Sequence, residues 1–181
     1  HQIQPLPVYY NREIMSFKNT TYTNASLDFT RSQHVAVGYD LTFVKDFHLK
    51  AEAYFQYIDN APVEKTKSSF SMLNAGADFA TPNNTNLVNK GIGRNYGLEI
   101  TLEKFMSKGF YFLVTGSLFQ SQYQGSDKVW RSTAFNGLYV VNALAGYQYL
   151  FGGKKNKTKR HTLSIDMKMT GAGGRYYTPI D

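Results

Sequence analysis

The stretch Asn95-Tyr96-Gly97-Leu98-Glu99-Ile100-Thr101-Leu102-Glu103 sets Tyr96, Leu98, Ile100 and Leu102 against Asn95, Gly97, Glu99, Thr101 and Glu103. A strict period of two is that of a β-strand with one apolar and one polar face. The pattern recurs in both directions from here. Upstream, His34–Phe43 carries Val35, Val37, Tyr39, Leu41 and Phe43 on one side, and Phe47–Tyr57 carries Phe47, Leu49, Ala51, Ala53, Phe55 and Tyr57. Downstream, Phe110–Leu118 groups Phe110, Phe112, Val114, Gly116 and Leu118, although Tyr111 and Leu113 on the other side weaken the contrast. Tyr139–Tyr147 groups Tyr139, Val141, Ala143, Ala145 and Tyr147, and Thr162–Thr170 sets Leu163, Ile165, Met167 and Met169 against Thr162, Ser164, Asp166, Lys168 and Thr170. The expected strands are 33–44, 47–58, 95–105, 109–120, 138–149 and 160–170. Residues 1–33, polar and rich in Thr, Asn and Tyr, read as loop. Ser69–Phe79 reads as a candidate extra strand and Asn83-Asn84-Thr85-Asn86 as a turn.

The connections alternate in length. Val44–Asp46 and Lys104–Gly109 are short, Ile58–Arg94 and Phe119–Leu138 are long, and Gln148–His161 is moderate and basic. Links this short exclude the crossover that parallel strands demand, so 33–44 should pair with 47–58 and 95–105 with 109–120, antiparallel. The same sequential order pairs 138–149 with 160–170. Strands of about ten residues match a tilted membrane-spanning strand. Short turns at one end and long loops at the other match an outer-membrane barrel. Phe43, Phe47, Phe105, Phe110, Tyr111, Tyr147, Tyr149 and Phe151, clustered beside the short turns, read as an interfacial aromatic girdle. The fold class expected is all-β: an antiparallel up-and-down meander of about six long strands, part of a large transmembrane β-barrel. A soluble antiparallel sheet packing its apolar face on a core yields the same alternation. A soluble all-β ligand-binding or adhesion module therefore stands as the alternative.

Composition narrows the classes. Of 181 residues, 42% are hydrophobic and 18% charged, against about 25% charged in ordinary domains, which argues against disorder. No apolar run reaches the roughly 18–20 residues of a spanning helix. The net charge of +7 comes from Lys+Arg 20 and Asp+Glu 13. These cations form no single face, and the run Lys154, Lys155, Lys157, Lys159 and Arg160 reads as a solvated turn, so no nucleic-acid partner is expected. With Cys 0, disulfide frameworks, zinc ribbons and thiol catalysis are excluded. His1, His34, His48 and His161 lack metal-ligand spacing, and neither H-E-x-x-H nor G-x-S-x-G occurs. Gly91-Ile92-Gly93-Arg94-Asn95-Tyr96-Gly97 leads into a strand rather than a helix N-terminus, so the glycines read as positions relieved of side chains rather than a phosphate loop. Glu99 and Glu103 are two pleats apart, about 13 Å, too far for a glycosidase pair. No enzyme, metal or cofactor is expected.

Five segments carry a family likeness. Lys50-Ala51-Glu52-Ala53-Tyr54-Phe55-Gln56-Tyr57, Ser71-Met72-Leu73-Asn74-Ala75-Gly76-Ala77-Asp78-Phe79 and Arg94-Asn95-Tyr96-Gly97-Leu98-Glu99-Ile100-Thr101-Leu102-Glu103-Lys104 resemble the barrel of TonB-dependent outer-membrane receptors. The group with a carboxypeptidase-regulatory-like N-terminal domain is the nearest in kind. Arg131-Ser132-Thr133-Ala134-Phe135-Asn136-Gly137 and Gly173-Gly174-Arg175-Tyr176-Tyr177-Thr178-Pro179-Ile180-Asp181 resemble the same group. The family's barrel has about 22 strands around a plug, and its plug and TonB-contacting segment have no counterpart here. The resemblance thus implies that residues 1–181 are a partial barrel domain from the C-terminal half, in the outer membrane of a Gram-negative bacterium. It implies a transporter importing a substrate, with partners in outer-membrane lipid and, through the rest of the chain, the plug and TonB. Ligand contacts are expected at the long-loop end, from Arg94, Asn95, Trp130, Arg131, Arg175 and Tyr176. Glu99, Glu103, Asp166 and Lys168 are expected to face the lumen and the plug. An isolated open sheet is expected either to curl so that Leu98, Ile100, Leu163 and Met167 are covered or to self-associate.

Overall fold

The computed structural model describes residues 6–16, 19–76, 82–151 and 161–174. A helical turn, α1 (Leu6–Tyr9), precedes a small hairpin of β1 (Arg12–Ser16) and β2 (Asn19–Tyr22). There follow β3 (Arg31–Phe43), β4 (Phe47–Glu64), β5 (Leu87–Ser107), β6 (Phe110–Gln124), β7 (Trp130–Ser132), β8 (Tyr139–Phe151) and β9 (His161–Ala172), with a 3-10 turn at Met72–Asn74. The long strands form one antiparallel sheet in the order β3-β4-β5-β6-β8-β9, and β7 pairs with the far end of β6. The all-β up-and-down meander and its three expected pairings are present. The sheet is open: β3 and β9 each have one unpaired edge among the described residues.

Three expectations need correction. Residues 1–33 are not all loop, since they hold α1, the β1–β2 hairpin and the start of β3. Asn24 organises this segment: its amide donates to the carbonyls of Val8 and Asn84, and its oxygen accepts from the Leu87 N–H. β4 and β5 continue past their amphipathic stretches, because Ala61, Val63 and Leu87 are buried and the ladder runs on to Glu64↔Leu87. Ser69–Phe79 does not form a strand where it is described. Ser71 makes one bridge to Val63 and its hydroxyl then caps the 3-10 turn by accepting from the Leu73 N–H. Residues 77–81, and the basic run 154–160, lie outside the described residues.

Register decides the faces, because directly opposed residues of an antiparallel ladder point the same way. Val37 opposes Ala53, which opposes Leu98, which opposes Leu118, which opposes Tyr139. Tyr147 opposes Ile165, and Ala145 opposes Met167. The apolar sides of all six long strands therefore merge into one surface. No second layer covers it among the described residues: Val37 is 70% exposed, Ile165 63% and Met167 69%. The opposite face is polar. One of its rows reads Asp40, Lys50, Thr101, Thr115, Asn142 and Thr170 across the sheet, and Asn142 bonds both Thr115 and Thr170.

The turn ends are built as hairpins require. Lys108 and Gly109 both have positive φ, 52° and 82°, the type I′ geometry whose twist matches the flanking strands. Phe43, Phe47, Phe110 and Phe112 form a chain of rings on the apolar side here, with centroids 5.7–6.1 Å apart. Tyr149 stacks on Phe151 at 6.2 Å. Two residues expected in this girdle lie on the polar side instead. Phe105 stacks with His48, and Tyr111 crosses Gly146 to donate to Asp166 at 2.5 Å. The reason is parity: Tyr111 belongs to the alternate set of β6.

Glycine opposite a large side chain recurs on the polar side. Gly38 faces Glu52, Gly97 faces Tyr54 and Gly146 faces Tyr111. A Cβ at Gly97 would stand 2.7 Å from the Leu118 carbonyl oxygen and 2.8 Å from the Tyr54 hydroxyl. Backbone cannot yield cheaply at that distance, so Gly97→Ala should cost about 1–3 kcal/mol through overpacking. Urea unfolding of the folded chain measures this, and the double variant with Tyr54→Ala should recover only part of it.

Candidate functional site

At the long-loop end the polar face becomes a cleft of about 720 Å³, lined among others by Ser32, His34, Gln56, Asn95, Ser121, Thr133, Leu73 and Phe135. Its floor is the row His34–Gln56–Asn95–Ser121 across β3 to β6. Asn95 donates to Gln56 Oε1 at 2.7 Å, and Gln56 donates to Ser32 Oγ at 2.8 Å. Thr133 Oγ1 donates to Ser121 Oγ at 2.9 Å, and its N–H donates to the Ser121 carbonyl. The walls come from two loops that lean on each other. The Ala134 N–H donates to Asn74 Oδ1 at 2.7 Å, and the Ser68 N–H to Ser126 Oγ at 2.9 Å.

The glycines of β5 let these loops settle. A Cβ at Gly93 would stand 2.7 Å from Leu73 Cδ1, and one at Gly91 2.6 Å from Val63 Cγ1. The Gly91–Gly97 spacing is thus accounted for by three close approaches, at Gly91, Gly93 and Gly97. Its position on a strand gives an anion no helix terminus.

The expected ligand residues separate. Arg94 and Asn95 are neighbours on β5 and so point to opposite faces. Asn95 lies on the cleft floor. Arg94 projects on the apolar side, its guanidinium carbon 4.2 Å from the centre of the Trp130 ring. Arg131 opposes Tyr123 on the other side of the sheet from Trp130. It is engaged with its own loop: Nη1 and Nη2 donate to Asp127 Oδ1 and Oδ2 at 3.0 and 2.6 Å, and Nη1 also donates to the Val129 carbonyl. Arg175 and Tyr176 lie outside the described residues. Glu99, Glu103, Asp166 and Lys168 all fall on the polar face, in register with Glu52, His48, Gly146 and Leu144.

Charge is unevenly spread on that face. Toward the turn end, His48 lies between Asp40 at 2.9 Å and Glu103 at 3.7 Å, and Lys50 meets Glu52 at 2.6 Å. The cleft is lined instead by amides, hydroxyls, one histidine and apolar side chains. Such a surface recognises uncharged hydrogen-bonding groups. Among the described residues no group of three or more His, Asp or Glu is placed to hold a metal. The sequence reading missed Ser32, Gln56, Ser121 and Thr133. Their only signal is that polar residues occupy the polar parity just beyond the apolar stretch, visible once the strands are aligned.

Compared with models of known families, with characterised proteins and with solved structures, the chain matches none.

The Asp127–Arg131 contact makes a test of loop order. Two guanidinium N–H groups and the Val129 N–H hold the Asp127 carboxyl below its ordinary range. A lowered value means the contact's contribution is complete above the ordinary carboxylate pKa and lost as pH falls through the lowered one. Corrected for their intrinsic rates, the amides of residues 125–131 should therefore lose protection against exchange selectively at low pH. In Asp127→Asn they should be less protected at neutral pH and lose that acid dependence.

Proposed function

We propose that this chain is part of the wall of an outer-membrane β-barrel importer of the TonB-dependent class. On this reading it performs no catalysis, and its cleft contacts the imported substrate. The observation that carries the membrane half is the sharp edge of the apolar band. Along the apolar side of β5, Tyr96, Leu98, Ile100 and Leu102 lie between Arg94 at one end and Lys104 at the other. Lys104 sits over the rings of Phe47 and Phe110 at 5.8 and 5.6 Å, and Arg94 sits over Trp130. Ten residues at about 3.3 Å each span roughly 33 Å, and a strand tilted by about 40° reduces this to about 25 Å, the height of an outer-membrane barrel's apolar girdle.

The band itself is as free of polar side chains on the other long strands. Between Val35 and Phe43, Phe47 and Phe55, Phe110 and Leu118, Tyr139 and Tyr147, and Leu163 and Met169, the apolar parity carries no charged and no amide side chain. Beyond it come Gln33, the Arg31–Asp59 ion pair, Gln120 and Gln122. A soluble module would have to cover this surface with a second layer. The importer half rests on the family likeness and on a cleft set at the end opposite the tight turns, where long loops gather.

These 181 residues hold no cysteine, so with any cysteine elsewhere in the full-length protein replaced, the membrane half is testable one residue at a time. Spin labels at Leu98→Cys and Ile165→Cys, in the full-length protein in bilayers, should collide preferentially with dissolved oxygen. Labels at Thr101→Cys and Ser164→Cys should favour a water-soluble nickel complex. Aqueous contact at 98 and 165 in a folded protein would favour the soluble module. For import, cells making the full-length protein should deplete a solute from their medium only when the inner-membrane energising complex is present. Equal depletion without that complex would remove the importer reading.

A further inference from the structure

Arg94 occupies the upper edge of the apolar band, and it is held in two ways. The guanidinium carbon lies over the Trp130 ring, 4.2 Å from its centre, and Nε donates to Gln122 Oε1 at 2.8 Å. Its two Nη groups make no hydrogen bond to any described residue. Arg31 is paired with Asp59, and Arg131 with Asp127. Arg94 has no carboxylate within ion-pair distance among the described residues. Its opposed neighbours are Tyr57 and Gln122. A planar fork held by a ring and an amide, with no carboxylate partner among the described residues, suits a phosphate, which it can bind through two parallel hydrogen bonds.

The side of the sheet chooses the source. Arg94 lies on the apolar side, next in line beyond Tyr96 and Leu98, and away from the cleft. A stacked indole beside an apolar surface is also the arrangement found where aromatic rings sit at headgroup level. We propose that Arg94 and Trp130 form a site for the phosphate of an outer-leaflet lipid headgroup. The phosphate engages the Nη fork, while the acyl chains run down the band past Leu118 and Leu98. This rests on the membrane reading above and assigns Arg94 and Trp130 to lipid rather than to the imported substrate.

The test uses the full-length protein in phosphatidylcholine nanodiscs doped with bis-phosphorylated lipid A or its dephosphorylated form, with retained lipid counted by native mass spectrometry. The wild type should retain the phosphorylated form about tenfold over the dephosphorylated one. Arg94→Gln should abolish that preference, Arg94→Lys should keep a fraction of it as a point charge, and Trp130→Ala should weaken it while Trp130→Phe keeps most. Inorganic phosphate at millimolar concentration should not compete. An unchanged preference in Arg94→Gln overturns the site, and full competition by inorganic phosphate reassigns it to the free ion and overturns the lipid claim. A protein that never enters the nanodiscs fails the membrane reading itself, a result distinct from a reconstituted protein without preference.

Discussion

Moving any one long strand by a single residue would carry all its apolar side chains to the polar face. The band, the cleft and the rim clusters all depend on that not happening. Two kinds of contact resist the slip. Tight turns set the starting point: the Phe47 N–H donates to the Val44 carbonyl at 3.2 Å, and Lys108-Gly109 closes the next hairpin. The large-over-glycine pairs act further along. Tyr54 fits over Gly97 and Tyr111 over Gly146 because each glycine is the directly opposed residue. A shift of one would set Tyr54 against a side chain and leave the glycine site empty. The ladders supply cohesion, and these pairs supply the choice of register.

With register set, the molecule is turned out relative to a water-soluble domain. Among the described residues its buried side chains, Val8, Ile58, Ala61, Pro62, Val63, Leu87 and Tyr123 with Asn24, Thr30, Ser71, Thr133 and Asn136, gather at the loop end. The strand centres bury little on either face. Six strands about 4.8 Å apart, each running about 33 Å through the band, give an apolar surface of about 950 Å² before side-chain relief. A soluble monomer rarely exposes a patch above a few hundred Å². Stability in the centre must then come from ladder hydrogen bonds and from whatever apolar medium meets the band. Asparagines and serines, locking backbone to backbone, hold the loop end.

This division also explains what could be read from the sequence. Period two was legible because one face is apolar and the other polar through Leu98–Leu102 or Leu163–Met169, and the tight turns fixed the neighbours. Legibility ended where alternation ended. The extensions of β4 and β5 bury both parities at Ala61, Pro62 and Val63, so no period marks them. The β1–β2 hairpin and the loop over Gly93 are held by side chains bonding distant backbone, as Asn24 does to residues 16 and 60 positions away. Such contacts leave no local pattern. For the site, the sequence named Arg94, Asn95, Trp130, Arg131, Arg175 and Tyr176 as one group because they share the loop end. The period of two that marks β5 already divides the adjacent pair. Asn95 reaches the cleft by parity, and Arg94 misses it by the same rule.

The edges bring the argument to assembly. β3 from Arg31 to Phe43 and β9 from His161 to Ala172 each leave a row of backbone groups unpaired among the described residues. Soluble proteins blunt such edges with proline, bulges or inward-pointing lysine. β3 carries no proline, no lysine and no bulge against β4, and β9 carries a single lysine, Lys168. In a bilayer each unpaired backbone group costs several kcal/mol, so on the proposed reading neither edge can face lipid. Both are long and regular, and both bear the same apolar and polar parity as the strands between them. Edges of that kind are suited to continuation by further strands of the same alternation. Each added strand would satisfy a row of backbone groups and widen both the apolar band and the polar face in step. Closure of the sheet, more than any added contact at its centre, is therefore the step that would make the fold stable in a membrane.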